Sequence, residues 1–288
     1  MDLIQAIVLG LIQGLTEFLP ISSSGHLLLV PALFGWNDPG AGFTAVIQLG
    51  TLGAVLVYFW RDLVDMFKAW TKSFINKDAR KDPKARLGWA VFVGTLPVVV
   101  AGLLFEKSID STLRSPFMVA ATLIGLGLVL WLAEKLGRQD RGLDEVRKRD
   151  GVWIGLWQVL ALIPGSSRSG STMTGALFLG FDRATAARFS FLLSVPAILG
   201  SGLYKLIKEQ EMLFSAGAMP TIIATVVAFV SGYAAIAFLM KFLQTRSTFV
   251  FVAYRVVLGI VVAVLAWQGV LQVHQADPAK TEVVSSAS

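Results

Sequence analysis

Between Gln13 and His26 the chain reads Gln-Gly-Leu-Thr-Glu-Phe-Leu-Pro-Ile-Ser-Ser-Ser-Gly-His. The stretch holds a carboxylate (Glu17), three consecutive serines (Ser22, Ser23, Ser24), the flexible Gly25, a helix-breaking Pro20 and His26, one of two histidines in the chain. A serine beside a base is a candidate nucleophile, and a histidine can take or give a proton near neutral pH. A second stretch, Pro164-Gly165-Ser166-Ser167-Arg168-Ser169-Gly170-Ser171-Thr172, has the same small polar character and carries an arginine. A Ser/Gly loop feeding a helix N-terminus presents free N–H groups and the positive end of a dipole. Two such loops facing each other make an anion site, lined here by Ser22, Ser24, Gly25, Ser167, Ser169 and Thr172. Arg168 adds a planar donor fork suited to phosphate. Gln13 and Glu17 are four residues apart and share a helix face. They could hold a divalent cation, and oxygen ligands beside a phosphate favour Mg²⁺ or Ca²⁺ over zinc.

Each residue also has a plainer reading. Glu17 could pair with Arg168 only to neutralise two buried charges. A lone histidine can be a packed, hydrogen-bonded core residue, and some of the serines can simply satisfy loop backbone. Against these stands the setting, because polar groups at this density are costly in hydrocarbon unless they line a cavity or a site.

The elements that must position these residues are apolar. Of the 288 residues, 55% are hydrophobic and 15% charged, and the mean hydropathy is +0.68. Soluble domains carry about 25% charged residues. The expected fold class is therefore all-α, a polytopic membrane protein. There is no cysteine, which excludes disulfides, thiolate metal sites and cysteine nucleophiles. Met1-Asp2-Leu3-Ile4 lacks a basic n-region, so no cleaved signal peptide is expected. The formal charge of +6 sits in loops, which points to membrane orientation and not to nucleic acid.

In chain order, residues 3–19 and 27–34 are apolar pieces too short to span separately with a loop between them, and they predict a re-entrant helical hairpin. Full spans are predicted over 41–60, 87–105 and 116–134, joined by basic loops at 61–86 and 135–150. The pattern then returns: short pieces at 152–163 and 173–181, and spans at 189–206, 219–240 and 249–268. Gln13-x-Leu15 before Pro20-x-Ser22-Ser23 matches Gln158-x-Leu160 before Pro164-x-Ser166-Ser167, an offset of about 145. This predicts six full transmembrane helices and two re-entrant hairpins in one membrane domain, residues 1–274, built of repeats over about 1–140 and 151–274. A disordered tail is expected at 275–288.

An odd number of spans per repeat inverts the second repeat relative to the first. With the N-terminus outside, loops 61–86, 135–150, 182–188 and 241–248 are cytoplasmic and hold most of the 25 Lys and Arg. The outer segments hold only Lys107, Arg114, Lys205, Lys208 and Lys280, as the positive-inside rule requires. Inverted repeats with broken helices place their site near mid-membrane, where the two loops meet. Elsewhere, Gln48 could reach the site or bridge helices. Arg255, near one end of the last span, is expected to snorkel. Trp60, Trp89, Trp131, Trp153 and Trp267 fall near span ends, as an aromatic belt would.

Glu17-Phe18-Leu19-Pro20-Ile21-Ser22-Ser23-Ser24-Gly25-His26 and Pro164-Gly165-Ser166-Ser167-Arg168-Ser169-Gly170 resemble the two signature motifs of the bacterial undecaprenyl-diphosphatases, integral-membrane enzymes linked to bacitracin resistance. Phe43–Val55 and Arg188–Gly202 are also similar, so the resemblance covers nearly all but the tail. It implies hydrolysis of undecaprenyl diphosphate to undecaprenyl phosphate and inorganic phosphate, recycling the lipid carrier of peptidoglycan synthesis. It also implies competition with bacitracin for substrate, a divalent cation, and a site in the bacterial inner membrane opening to the periplasmic side. The family's catalytic glutamate, second serine, histidine and arginine correspond to Glu17, Ser23, His26 and Arg168. Many members carry Glu where this chain has Gln13, which puts a two-carboxylate metal site in doubt. On this reading Ser23 attacks phosphorus and His26 assists proton transfer; the rival assignment makes His26 the nucleophile. A lipid or anion transporter is the competing class, since opposed re-entrant loops are also transporter architecture. Prenyl chain length and oligomeric state, a homodimer included, stay open.

Overall fold

The computed structural model describes residues 1–37, 40–110, 115–208 and 218–271. Their regular structure is helical: α1 (Leu3–Phe18), α2 (Ser23–Leu33), α3 (Gly40–Tyr58), α4 (Trp60–Ile75), α5 (Pro83–Asp110), α6 (Pro116–Leu136), α7 (Lys148–Val159), α8 (Arg168–Phe178), α9 (Arg183–Lys208), α10 (Ala218–Phe242) and α11 (Phe249–Trp267), with short 3₁₀ turns between some of them. Five of them, α5, α6, α9, α10 and α11, are each long and apolar enough to cross a membrane. The bent pair α3–α4 makes a sixth span if taken together. The chain is thus an all-α polytopic membrane protein. The expected tail at 275–288 lies outside the described residues, as do Arg114 and Lys280.

The largest departure from expectation is α4. Residues 61–86 read as a basic loop, yet Trp60–Ile75 form a helix that leaves α3 at 79°. Asp62, Asp65, Lys68 and Lys72 interrupt the hydropathy signal while remaining compatible with one helix face. The adjoining face buries Met66 and Ser73. Trp89 of α5 donates to Ser73 Oγ at 2.9 Å, and Trp70 meets Trp89 edge-on at 5.8 Å between ring centres.

The short helices lie against long ones. α1 runs along α10, and α7 runs along α5. Glycine permits the approach: a Cβ on Gly10 would stand 2.4 Å from the Ala224 carbonyl oxygen, and one on Gly155 would stand 2.2 Å from that of Gly94. Small residues that let backbones touch are the usual means of helix association in lipid, where hydrophobicity cannot drive it. α3 packs on α9 and α6 on α11, which closes the bundle. The main apolar core gathers Phe18, Phe59, Met173, Phe189, Phe191 and Leu192.

Ion pairs fasten the arginine-rich end. Arg188 grips Asp62 through two contacts of 2.6 and 3.1 Å. Glu134 pairs with Arg183 and accepts from the Thr248 backbone N–H at 2.9 Å and from its hydroxyl. Arg141 pairs with Asp150 at 2.7 Å. Of the tryptophans expected at span ends, Trp60, Trp153 and Trp267 are exposed, whereas Trp89 and Trp131 are partly covered.

Candidate functional site

Two turns built alike bring the polar stretches together. The first connects α1 to α2 and ends at Ser22; the second connects α7 to α8 and ends at Ser167. Both serines have positive φ, 74° and 66°, which is uncommon for a residue with a side chain. Each compensates by capping: Ser22 Oγ accepts from Gly25 N at 3.3 Å and Ser167 Oγ from Gly170 N at 3.1 Å. Each also meets the serine two residues on, Ser22 with Ser24 at 3.1 Å and Ser167 with Ser169 at 3.2 Å. The motifs matched through Pro20 and Pro164 therefore slip by one residue, since Ser22 corresponds to Ser167 and not to Ser166. The predicted polar loops are also shorter than expected, because Ser23 and Arg168 already open helices.

The turns touch directly. The Gly165 N–H donates to Ser24 Oγ at 3.1 Å, and Ser169 Oγ donates to the Leu19 carbonyl at 3.1 Å. Arg168 Nη2 donates to Glu17 Oε1 at 2.9 Å, and Nη1 to the Ser190 carbonyl at 3.3 Å. The other Glu17 oxygen accepts from Ser23 Oγ and from Gln13 Nε2, both at 2.9 Å. Glu17 is only 6% exposed and Gln13 is fully buried. The anticipated neutralising pair of Glu17 and Arg168 thus exists. Removing one partner of a buried pair typically costs about 3–5 kcal/mol, because the other charge stays behind.

His26 has the packed, hydrogen-bonded setting of its plainer reading. Its Nδ1 lies 2.7 Å from the Ser22 carbonyl oxygen, which can only accept, so Nδ1 carries a proton. Nε2 lies 2.6 Å from the Tyr254 hydroxyl, and the two rings stack at 5.6 Å. Both ring nitrogens are thus engaged away from the serine hydroxyls. The group that accepts from Ser23 is Glu17.

Several residues expected to bind anions serve the scaffold. Ser22 and Ser167 are caps, and Gly25 and Gly170 donate their N–H groups to them. Thr172 is buried, with its hydroxyl bonded to the Arg168 carbonyl at 2.8 Å and to Ser190 Oγ at 2.6 Å. Ser23 is half-buried and Ser24 exposed. The backbone N–H groups of Ser23 and Ser24 lie in the first turn of α2, where no intrahelical acceptor exists. Gln48 is half-buried in α3, and its carbonyl accepts from Thr51 at 2.8 Å.

Arg255, expected to snorkel, is fully buried behind the second turn. Its Nη2 donates to the carbonyls of Thr122, Gly165 and Ser166 at 3.1, 3.3 and 3.0 Å, and its Nε donates to Leu123 at 3.2 Å. Carbonyls freed by the tight turn outbid lipid headgroups for the guanidinium. Gly165 itself has φ +88°, and a Cβ there would stand 2.3 Å from Thr122 Oγ1. Tyr254 and Arg255 went unselected in the sequence as site residues; a charged residue inside an apolar span was the available signal.

Among the described residues no three His, Cys, Asp or Glu converge as a metal cage. What does fit a hard cation is narrower. Gln13 Oε1 is a buried oxygen with no hydrogen-bond partner, beside the Glu17 carboxylate and the Ser23 hydroxyl. One carboxylate plus neutral oxygens suits Mg²⁺-type binding completed by substrate phosphate oxygens.

The sequence matches the family model described as "Bacitracin resistance protein BacA" over residues 6–261. It is similar to the "Undecaprenyl-diphosphatase" of Chloroherpeton thalassium, with 51% identity covering 94% of this chain and 99% of the relative. Similar too are the proteins of that name from Myxococcus xanthus, 51% identical over 94% of this chain and 91% of the relative, and from Renibacterium salmoninarum, 50% identical over 94% and 98%. With both turns and nearly all of the bundle inside the matched region, this chain belongs to the BacA family.

Proposed function

We propose that the chain is an undecaprenyl-diphosphatase, hydrolysing undecaprenyl diphosphate to undecaprenyl phosphate and inorganic phosphate in the bacterial inner membrane. Family membership and the names of its relatives support the activity, the carrier-recycling role in cell-wall synthesis and the link to bacitracin resistance. The observation that carries the chemistry is the contact chain Arg168–Glu17–Ser23 at 2.9 Å per link. The transporter alternative has nothing comparable in its favour.

In this reading the substrate's terminal phosphoryl group sits over the first turn of α2, next to Arg168. The guanidinium and the free N–H groups of Ser23 and Ser24 stabilise the charge on its oxygens, the main contribution in phosphoryl transfer. Ser23 Oγ attacks phosphorus in line while its proton passes to Glu17. The bridging P–O bond breaks, and undecaprenyl phosphate leaves, its freed oxygen taking the proton from Glu17. Water then attacks the phosphoserine and gives a proton to the regenerated Glu17 carboxylate, which returns it to Ser23 Oγ as the serine–phosphorus bond breaks and phosphate is released. His26, held by Ser22 and Tyr254, shapes the start of α2. A divalent cation held by Glu17 and Gln13 Oε1 would supply further charge neutralisation of the diphosphate.

The distribution of Lys and Arg supports placing the arginine-rich end in the cytoplasm, with the two hairpins as inverted re-entrant units and the site opening to the periplasm. The test is phosphate release from undecaprenyl diphosphate by purified protein, with Mg²⁺, Ca²⁺ or chelator, for wild type, Arg168→Ala and Glu17→Ala. Cation-dependent release by wild type alone is expected; no release by folded wild type would overturn the assignment. Acid-stable label on a trapped phosphoenzyme would identify Ser23, and acid-labile label would identify His26 as the nucleophile.

A further inference from the structure

A cavity of about 730 Å³ lies away from the site, at the arginine-rich end beneath the α6–α7 connection. Arg138, Arg141, Arg147 and Arg149 line it, together with the apolar Leu136, Trp153 and Phe178.

The charges do not cancel. Asp150 is consumed internally: its carboxylate accepts from Arg141 at 2.7 Å and from the Arg147 backbone N–H at 2.9 Å. Arg141 is likewise spent, donating also to the Leu179 carbonyl at 3.0 Å and lying over the Phe181 ring at 4.1 Å. Glu145 is turned to the Gly142 N–H at 3.1 Å. Among the described residues, no acid pairs with the Arg147 or Arg149 side chains, and Arg138 has only a loose contact of 3.5 Å to exposed Asp140. The free valence of the cavity is therefore positive.

We propose that this cavity binds the phosphate headgroup of an anionic phospholipid, with an acyl chain lying along α7. The apolar wall decides for a lipid over a free anion. It continues onto the exposed Val152, Trp153 and Leu156 of α7 and Leu136 of α6, an apolar surface with no protein covering it. Guanidinium groups beside an aromatic and an apolar wall at a span end are the pairing that a headgroup and its chain require. The site is separate from the Glu17–Arg168 centre and does not depend on the hydrolase reading.

The test uses full-length protein in a neutral detergent. Phosphatidylglycerol and phosphatidylcholine are titrated in turn, and bound lipid is counted by native mass spectrometry. Wild type is expected to retain phosphatidylglycerol preferentially, and Arg147→Gln/Arg149→Gln to weaken that retention about tenfold or more. Lys72→Gln/Lys77→Gln, which removes equal charge from α4 and its exit, should change it little. Equal retention of the two lipids by wild type, or equal loss in both double variants, would overturn the proposal. A third arm adds inorganic phosphate: displacement of the lipid at millimolar concentration would reassign the cavity to a free anion. Unchanged thermal unfolding of the variants guards against misfolding as the cause.

Discussion

The two turns share one backbone device and differ in what hangs on it. In each, a positive-φ serine caps a short helix. In the first the helix opens on Ser23, and at the end of the preceding helix stands Glu17; in the second it opens on Arg168, and the residue corresponding to Glu17 is Leu162. His26 of the first corresponds to Ser171 of the second, whose buried hydroxyl has no partner. The comparison separates positioning from chemistry. Geometry is common to both turns, while in the proposed mechanism the attacking group and its base belong to one and the charge stabiliser to the other. Neither turn is a site without its counterpart.

If that division holds, the side chains at the two equivalent helix starts fail in different ways. Ser23→Ala is expected to lower kcat for phosphate release by about 10³-fold or more and to abolish any phosphoenzyme. Arg168→Ala is expected to cost about 10²–10³-fold, and Arg168→Lys to recover only a small part because a single point charge replaces the fork. Equal losses with retained phosphoenzyme in Ser23→Ala would break the comparison. Next in size is a change of scaffold: Gly165→Ala should destabilise by about 2–4 kcal/mol, from left-handed strain and collision with Thr122, measured by thermal unfolding in detergent. The caps should respond alike, with Ser22→Ala and Ser167→Ala each losing about 1 kcal/mol. A large inequality between them would show that the two turns are not structurally equivalent. Smallest is Tyr254→Phe, which removes one hydrogen bond from His26, about 0.5–1.5 kcal/mol. It is read by thermal unfolding in detergent.

Much of this was legible beforehand because the signals were local. Hydrocarbon tolerates polar groups only for a reason, so Glu17, Ser23, His26 and Arg168 stood out against their neighbours. Five of the six expected spans followed from uninterrupted apolar runs; the one expected over 41–60 became α3, which makes a span only together with α4. Other features depended on tertiary partners. α4 was hidden because its charges lie along one face of a helix and average into a loop-like window. Snorkelling was the sensible expectation for Arg255 until the carbonyls of Gly165 and Ser166, ninety positions away or nearly so, became its acceptors. His26 looked like the base for Ser23 by proximity in sequence; helical direction instead turned it toward Tyr254, more than two hundred residues on. The one-residue slip between the motifs arises because the prolines align while the capping serines do not.

The reliance of short helices on long neighbours also bears on how the protein is made. At a rise of about 1.5 Å per residue, an 11-residue helix such as α2 covers roughly half of the ~30 Å hydrocarbon layer. It cannot be held there by its own length. α7 emerges from the ribosome after α5, the helix on which it rests, whereas α1 emerges some two hundred residues before α10, its own support. The N-terminal hairpin is thus a client awaiting its partner throughout synthesis. A nascent chain arrested before α10 should leave Ser22–His26 accessible to protease, while the completed chain protects them. The reactive half of the site would be the last part of the enzyme to mature.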